Sequence, residues 1–226
     1  MKISCIIPAK GTSERVKNKN LLALGERSLV YKACEKCLRV PSIDQVYIDT
    51  ESDEIISDLQ PLIKQGLNVI RRPVEMASNS TSGNDLIVFE QSMIEKCDLI
   101  LHTYATSPFI TANTIEHCVQ TFVAKHHEQY DSFFTALPVH EYFWVGGKPL
   151  NFDLNSLPNS QNLDTMWVET HGLYGIRWDA LTKLKRRLGE RVLPIQIEED
   201  ESLDINTPSD YEKAIKLHEE RIKKVI

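Results

Sequence analysis

The segment from Lys10 to Asn20 holds four basic residues (Lys10, Arg15, Lys17, Lys19) and one acid (Glu14), in a 226-residue chain whose formal net charge is −6. Such a run is either a solvated patch of surface charge or a locally built anion site. Gly11 and Ser13 lie inside it, and small residues let backbone amides approach phosphate oxygens. Phosphoryl and nucleotidyl transfer needs little covalent chemistry from a protein: the nucleophile is held in line, and charge on the transferred phosphorus and leaving group is neutralised. Gly11 is the loop's only glycine, and neither GxGxxG nor GxxxxGK followed by Ser or Thr occurs anywhere in the chain. A dinucleotide dehydrogenase and a Walker-type kinase are thereby disfavoured.

The elements that would position this loop are legible from periodicity. Ile3 to Ile7 is a short apolar run without alternation, as in a strand buried on both faces of a parallel sheet. Helix-like spacing of Leu29, Cys34, Cys37 and Leu38 follows, then a strand at Val46 to Ile48. Helical segments are expected at Asp53–Lys64, Asn84–Lys96, Thr111–Lys125, Trp178–Arg187 and Pro208–Lys223. Strands are expected at Asn68–Ile70, Leu99–His102, Ser132–Val139, Gly172–Arg177 and Val192–Ile197. This alternation predicts an α/β fold with a mostly parallel sheet between helical layers, arranged as one domain over residues 1–226. In such sheets ligands bind beyond the carboxyl ends of the strands, which favours the anion-site reading of the loop after the first strand.

The rhythm breaks between His140 and Val168. Gly146-Gly147-Lys148-Pro149 reads as a hairpin turn there, and the segment carries Tyr142, Phe143, Trp144, Phe152 and Trp167. Exposed aromatics on such an excursion suit a subunit interface.

Composition narrows the class further. With 42% hydrophobic and 26% charged residues, the chain can bury a full core. The acidic balance argues against general nucleic-acid binding. No apolar stretch approaches the ~20 residues of a membrane span, so a cytoplasmic protein is expected. The five cysteines (Cys5, Cys34, Cys37, Cys97, Cys118) fall in strand- or helix-like stretches rather than a disulfide framework, which suits a reduced compartment. Cys34 and Cys37 form a CxxC without a second zinc-spaced pair, and core packing is the preferred reading. No metal-ligand pairing emerges for His102, His126, His127 or His140, and His126-His127 reads as an exposed helix end.

The stretch IPAKGTSERVKNKNL, Ile7 to Leu21, resembles the opening of the acylneuraminate cytidylyltransferase family, commonly I-x-A-R-G-G-S-K-G-x-x-x-K-N. Lys10 stands at the motif's arginine, and Ser13, Lys19 and Asn20 match outright. Thr12, Glu14 and Arg15 replace a glycine, a lysine and a glycine. The likeness runs along most of the chain. Arg72 to Asn79 resembles R-P-x-E-L-A-x-D, with Asn79 for the aspartate. Thr106-Ser107-Pro108 matches T-S-P, though Tyr104 stands for a preceding glutamine and Ile110 for a following arginine, two positions near the sugar in the family. His171 to Ile176 is similar to N-G-A-I-Y-I, where His171 could donate to a substrate hydroxyl or cap a strand. Leu203 to Asp210 is similar to I-D-I-D-T-P-E-D, with Asn206 for the second aspartate, while Asp210 reads as a first-turn helix acid.

The resemblance implies a Rossmann-like nucleotidyltransferase that joins CMP from CTP to a hydroxyl of an acidic sugar. Lys10, Arg15 and Lys19, with amides near Gly11, Thr12 and Ser13 and with Asn20, would hold the triphosphate. Arg72, Asn79 and Ser82 would serve the cytosine, and Tyr104, Thr106, Ser107 and His171 the sugar. It implies Mg2+ at Asp204 and Asn206, with the nucleotide phosphates supplying most ligands. Lys10, Lys19 and Asp204 are the expected catalytic residues. The 140–168 excursion would reach across a homodimer and cap the partner's site. Two alternatives stay open: a non-catalytic nucleotide- or sugar-binding relative, and a cytidylyltransferase for another acceptor, such as a Kdo-like acid, an amino-sugar acid or a phosphonate.

Overall fold

Alternate residues of the first strand face opposite ways, and in this chain both faces are apolar. The computed structural model describes residues 1–13, 16–125 and 129–223. In β1 (Ile3–Pro8), Ile3, Cys5 and Ile7 join one buried cluster while Ile6 joins another. A period of two therefore sends side chains into two separate cores, one on each side of the sheet. The hairpin of β2 (Ala23–Leu24) and β3 (Arg27–Ser28) follows, then α1 (Leu29–Leu38), whose N-cap Ser28 accepts from the Tyr31 amide. Then come β4 (Gln45–Thr50), α2 (Asp53–Asp58), α3 (Gln60–Ile63), β5 (Asn68–Arg71), α4 (Gly83–Met93), β6 (Leu99–Thr103) and α5 (Ala112–Lys125). The chain closes with β7 (Ser132–Val139), the small hairpin β8 (Trp144–Val145) and β9 (Lys148–Pro149), β10 (Met166–Arg177), α6 (Trp178–Leu184), β11 (Val192–Gln196) and α7 (Pro208–Lys223).

Seven strands form one sheet in the order β11-β7-β10-β6-β1-β4-β5. β1 pairs parallel with β4 and β6, β4 with β5, and β7 with β11, while β10 runs antiparallel between β6 and β7. Residues of α1, α2, α3 and α5 pack into one cluster, with Ile55, Leu59, Ile115 and Phe122 buried there. Ile87 of α4 and Leu181 of α6 pack into the other. The expected three-layer α/β architecture is the observed one.

The larger departures from expectation are these. The helix expected at Asp53–Lys64 is two short helices, because Pro61 has no amide to continue the ladder and stands in the first turn of α3. The helix expected to reach Lys96 ends at Met93, where Ile94 turns extended. The one expected to reach Arg187 ends at Leu184, where Lys185 adopts φ 54. β10 begins at Met166, so residues 166–168 belong to the central sheet rather than to the excursion. All five cysteines are buried free thiols, and Cys5 Sγ lies 3.7 Å from Cys37 Sγ, as core packing requires. Among the described residues, no helix is long and apolar enough to cross a membrane. His126 and His127 lie outside the described residues.

Candidate active site

Parallel pairing puts the carboxyl ends of β1, β4, β5 and β6 on one edge of the sheet. The first loop starts there, with the Ala9 amide donating to Asp49 O at 2.9 Å. Gly11 packs so closely on the next loop that a Cβ would stand 2.7 Å from Ser52 Cβ, so only glycine fits. Its amide donates to Glu51 Oε1 at 2.7 Å, which corrects its expected role: it faces a carboxylate of its own chain, not an open phosphate seat. Asn18 turns the chain in the left-handed region (φ 50), which asparagine tolerates, and presents Lys19 and Asn20 on a short 3-10 turn. Asn20 is buried and donates through Nδ2 to Lys10 O at 2.9 Å, so it braces the loop from behind. Arg15, expected on the triphosphate, lies outside the described residues.

Two of the expected clusters form. Lys10 Nζ donates to Asn79 Oδ1, and a cavity of about 250 Å³ is lined by Lys10, Thr12, Ser13, Ala77, Ser78 and Asn79. Lys19 Nζ donates to Ile205 O at 2.8 Å, between Asp204 and Asn206. That segment is pinned to the sheet edge by the Ile205 amide on Thr106 O at 2.8 Å. Larger cavities of about 350 and 480 Å³ open around Met1, near the amino end of β1, away from this edge.

Asp204 fits a cation. Its Oδ1 is buried without a hydrogen-bond partner, while Asn206 Nδ2 donates to Oδ2 at 2.6 Å. Among the described residues no group of three His, Cys, Asp or Glu could form a complete cage, so an ion here would draw most of its ligands from a bound phosphate. Asp210 behaves as the expected first-turn acid: its Oδ2 accepts from the Thr207 hydroxyl at 2.8 Å and the Thr207 amide at 3.0 Å, and hydrogen bonding holds its carboxyl below the usual range.

Three more expected ligands are spent on structure. Ser82 is the N-cap of α4 in a reciprocal capping box with Asp85, its hydroxyl 2.7 Å from Asp85 Oδ2. Ser107 is fully buried, donating to His171 O at 3.3 Å. Arg72 is buried, and its Nε and Nη2 both close on Asp49 Oδ2, with Nε at 2.9 Å. It therefore holds the floor of the site rather than facing a base.

That floor is a buried charge network that no sequence motif announced. Glu90 of α4 and His102 of β6 meet with Oε2 3.1 Å from Nε2, both inaccessible to water. Burial pushes Asp49 and Glu90 up to about 7 and pushes His102 down to about 3. The Arg72 guanidinium works against that rise at Asp49, and the two carboxyls between them retain a proton near neutral pH. That proton supplies a donor among Asp49 Oδ1, both Glu90 oxygens and His102 Nε2, which otherwise have no hydrogen-bond partner.

The network surfaces at Tyr104, whose hydroxyl lies 3.2 Å from His102 Nδ1 and accepts from Arg187 Nη1 at 2.8 Å. Opposite it, β10 bulges between Glu169 and Tyr174. Hydroxyls satisfy the bulge: Thr170 Oγ1 donates to Thr135 O at 3.0 Å, and Thr103 Oγ1 to Gly172 O at 2.6 Å. The bulge leaves His171 exposed at φ 57, its Nδ1 3.2 Å from the Tyr174 hydroxyl. Such bulges re-aim side chains beside functional sites. Ile110 is buried and lies beside Gly172, so no charge enters from there. Thr106 is half-buried on the same loop.

Residues 4–225 match the family model described as Cytidylyltransferase. The chain is 25% identical over 181 residues to an N-acylneuraminate cytidylyltransferase of Oncorhynchus mykiss, covering 76% of this chain and 40% of that one. It is 27% identical over 128 residues to a pseudaminic acid cytidylyltransferase of Campylobacter jejuni, covering 54% of each. The chain thus spans about half the length of these curated relatives. Among solved structures it resembles a CMP:2-keto-3-deoxy-manno-octonic acid synthetase complexed with CTP, with a TM-score of 0.70 and 16% identity, over 98% of this chain and all of that one. That last likeness is one of fold.

Proposed function

The chain belongs to the cytidylyltransferase family, and from that premise we propose that it transfers CMP from CTP to a hydroxyl of an acidic sugar, releasing pyrophosphate. The observation that carries this reading is the convergence of two lysines on one sheet edge, Lys10 beside Asn79 and Lys19 beside the Asp204–Asn206 segment. In this reading the ammonium groups of Lys10 and Lys19 bracket the triphosphate and neutralise charge as the acceptor oxygen attacks the α-phosphorus and pyrophosphate departs. Asp204, with Asn206, would hold Mg2+, which when bound supplies further positive charge on the phosphate oxygens. Asn79, exposed on the loop after β5, is placed to meet the nucleoside. Both curated relatives named above are cytidylyltransferases of acids by name, which supports a sugar acid as acceptor. The test is pyrophosphate release from CTP and Mg2+ across a panel of such acids. Turnover with at least one is expected. A second reading, a nucleotide-binding relative without activity, is favoured by the Gly11 amide held on Glu51 and by the uncharged Asn206; CTP binding without turnover on any acid would establish it.

The reading extends to a homodimer. Trp144, Val145, Leu154 and Leu157 of the arm before β10 are 53–65% exposed, and Phe152 stacks edge-on with Tyr142 and Trp144 at 5.0 and 5.2 Å, which organises the arm without covering it. An apolar patch of this kind suits a twofold contact with a second copy. Light scattering is expected to give a dimer mass, and Trp144→Lys with Leu154→Lys to lower it toward the monomer. A wild-type monomer at micromolar concentration would end the proposal.

A further inference from the structure

Arg187 has no role in the chemistry described so far, yet its guanidinium lies directly against Tyr104. Its backbone amide is anchored on Asn84 Oδ1 at 2.9 Å, its guanidinium lies 3.8 Å from the centre of the Tyr174 ring, and Nη1 donates to the Tyr104 hydroxyl at 2.8 Å. About a quarter of the side chain remains exposed. A guanidinium carries five N–H donors in a fixed plane, and among the described residues one of these is committed by the head group. The acid nearest to it, Glu169, stands 4.0 Å from Nη2, beyond hydrogen-bond reach, and its Oε2 is taken by the Tyr174 hydroxyl at 2.8 Å. The ring beneath and the Tyr104 hydroxyl beside it hold the guanidinium in place, and donors remain along its edge. That is the arrangement that recognises a carboxylate in bidentate fashion.

We infer that Arg187, together with the hydroxyl of Tyr104, seats the carboxylate of the acceptor and so sets the preference for an acidic sugar. The inference rests on the cytidylyltransferase reading for what the acceptor is, and on the geometry above for which residue holds it. Arg187 is half-buried, where a charge-assisted hydrogen bond is worth more than at an open surface. Tyr104 and Thr106 lie on the same stretch after β6, and Thr106 O accepts from the Ile205 amide at 2.8 Å, which ties the seat's loop to the 204–206 segment. A carboxylate held there leaves the adjacent hydroxyls of the same sugar facing the nucleotide. Tyr174 is a positioning residue here: its ring fixes the guanidinium and it does not touch the acceptor.

The experiment compares wild type with Arg187→Gln and Arg187→Lys, using N-acetylneuraminate, pseudaminate and 3-deoxy-manno-octulosonate and the carboxamide of whichever acid reacts. Losing two charge-assisted bonds is expected to raise the KM for the acid roughly 10- to 100-fold. The KM for CTP should stay within about twofold and the acid-over-carboxamide preference should collapse, with Lys recovering only part of it because an ammonium lacks the fork. Unchanged acid KM and unchanged preference in folded Arg187→Gln would overturn the assignment while leaving the cytidylyltransferase reading intact. If wild type turns over no acid, that reading fails, and calorimetric titration of the same acids in the presence of CMP decides the seat alone: Arg187-dependent binding sustains it, and its absence overturns it.

Discussion

Replacing Lys19 by alanine is expected to lower kcat for CMP transfer about 10²- to 10³-fold, the loss typical of removing one preorganised charge from a transition state. The 3-10 turn after Asn18 delivers this side chain to Ile205 O at 2.8 Å, between the two residues that would flank a metal-bound phosphate. An ammonium there neutralises charge that grows as pyrophosphate leaves, so kcat should fall more than the KM for CTP rises. The same contact also straps the first loop to the 204–206 segment, and a purely structural role has a different signature. In that case Lys19→Ala would lower the melting temperature and the affinity for CTP while leaving kcat near wild type. Lys19→Arg, which keeps a charge, should recover a substantial part of the rate. Full activity in Lys19→Ala would remove the residue from the mechanism.

The fold was largely legible because its core strands are apolar throughout and its helices begin at capping residues. Ile3–Ile7 and Leu99–His102 read as buried strands, and Thr207-Pro208 with Asp210 reads as a helix start, which is what α7 displays. What escaped were features decided by contacts distant in sequence. Met166–Val168 falls inside the stretch read as an excursion, yet it pairs with β7 across Met166↔Val139, and the strand then bulges where the hydroxyls of Thr103 and Thr135 satisfy the distorted backbone. Lys10, Thr12, Ser13 and Asn79 were brought together as expected, because a strand-end loop and the loop after β5 must share the sheet edge. Ser82 and Ser107 are engaged with their own chain for one reason: a short hydroxyl side chain satisfies backbone as readily as it meets ligand. Arg187 stood as the last residue of an expected helix that ends at Leu184, with no motif around it. One signal was available and unused. Asp49 and His102 are polar residues at the ends of otherwise apolar strands, and a buried charge at such a place needs a partner.

The stability of the site depends on that partner. Arg72→Met is expected to cost about 3–5 kcal/mol, since it leaves Asp49 buried and unpaired rather than replacing the whole pair with apolar groups. For a chain of this length that lowers the melting temperature by on the order of 10 °C. The loss should depend on pH, with a definite sign. Burial already raises Glu90 from 4.5 to about 7, so its contribution is fully present below about pH 4.5 and is lost as pH rises through about 7. Removing the guanidinium, which lowers the Asp49 carboxyl, raises Asp49 further above its ordinary 3.8. Its folded form then binds protons more tightly than the unfolded chain and loses stability as pH rises through the new value. Arg72→Met should accordingly lie closer to wild type at pH 5.5 than at pH 8, and calorimetric melts at the two values measure the difference. Adding Glu90→Gln should flatten the slope between pH 5 and 7, because it removes one of the two carboxyls whose raised values make the folded state bind a proton there. Equal losses at both pH values would mean that Arg72 acts through packing of its stem and not through the charge on Asp49.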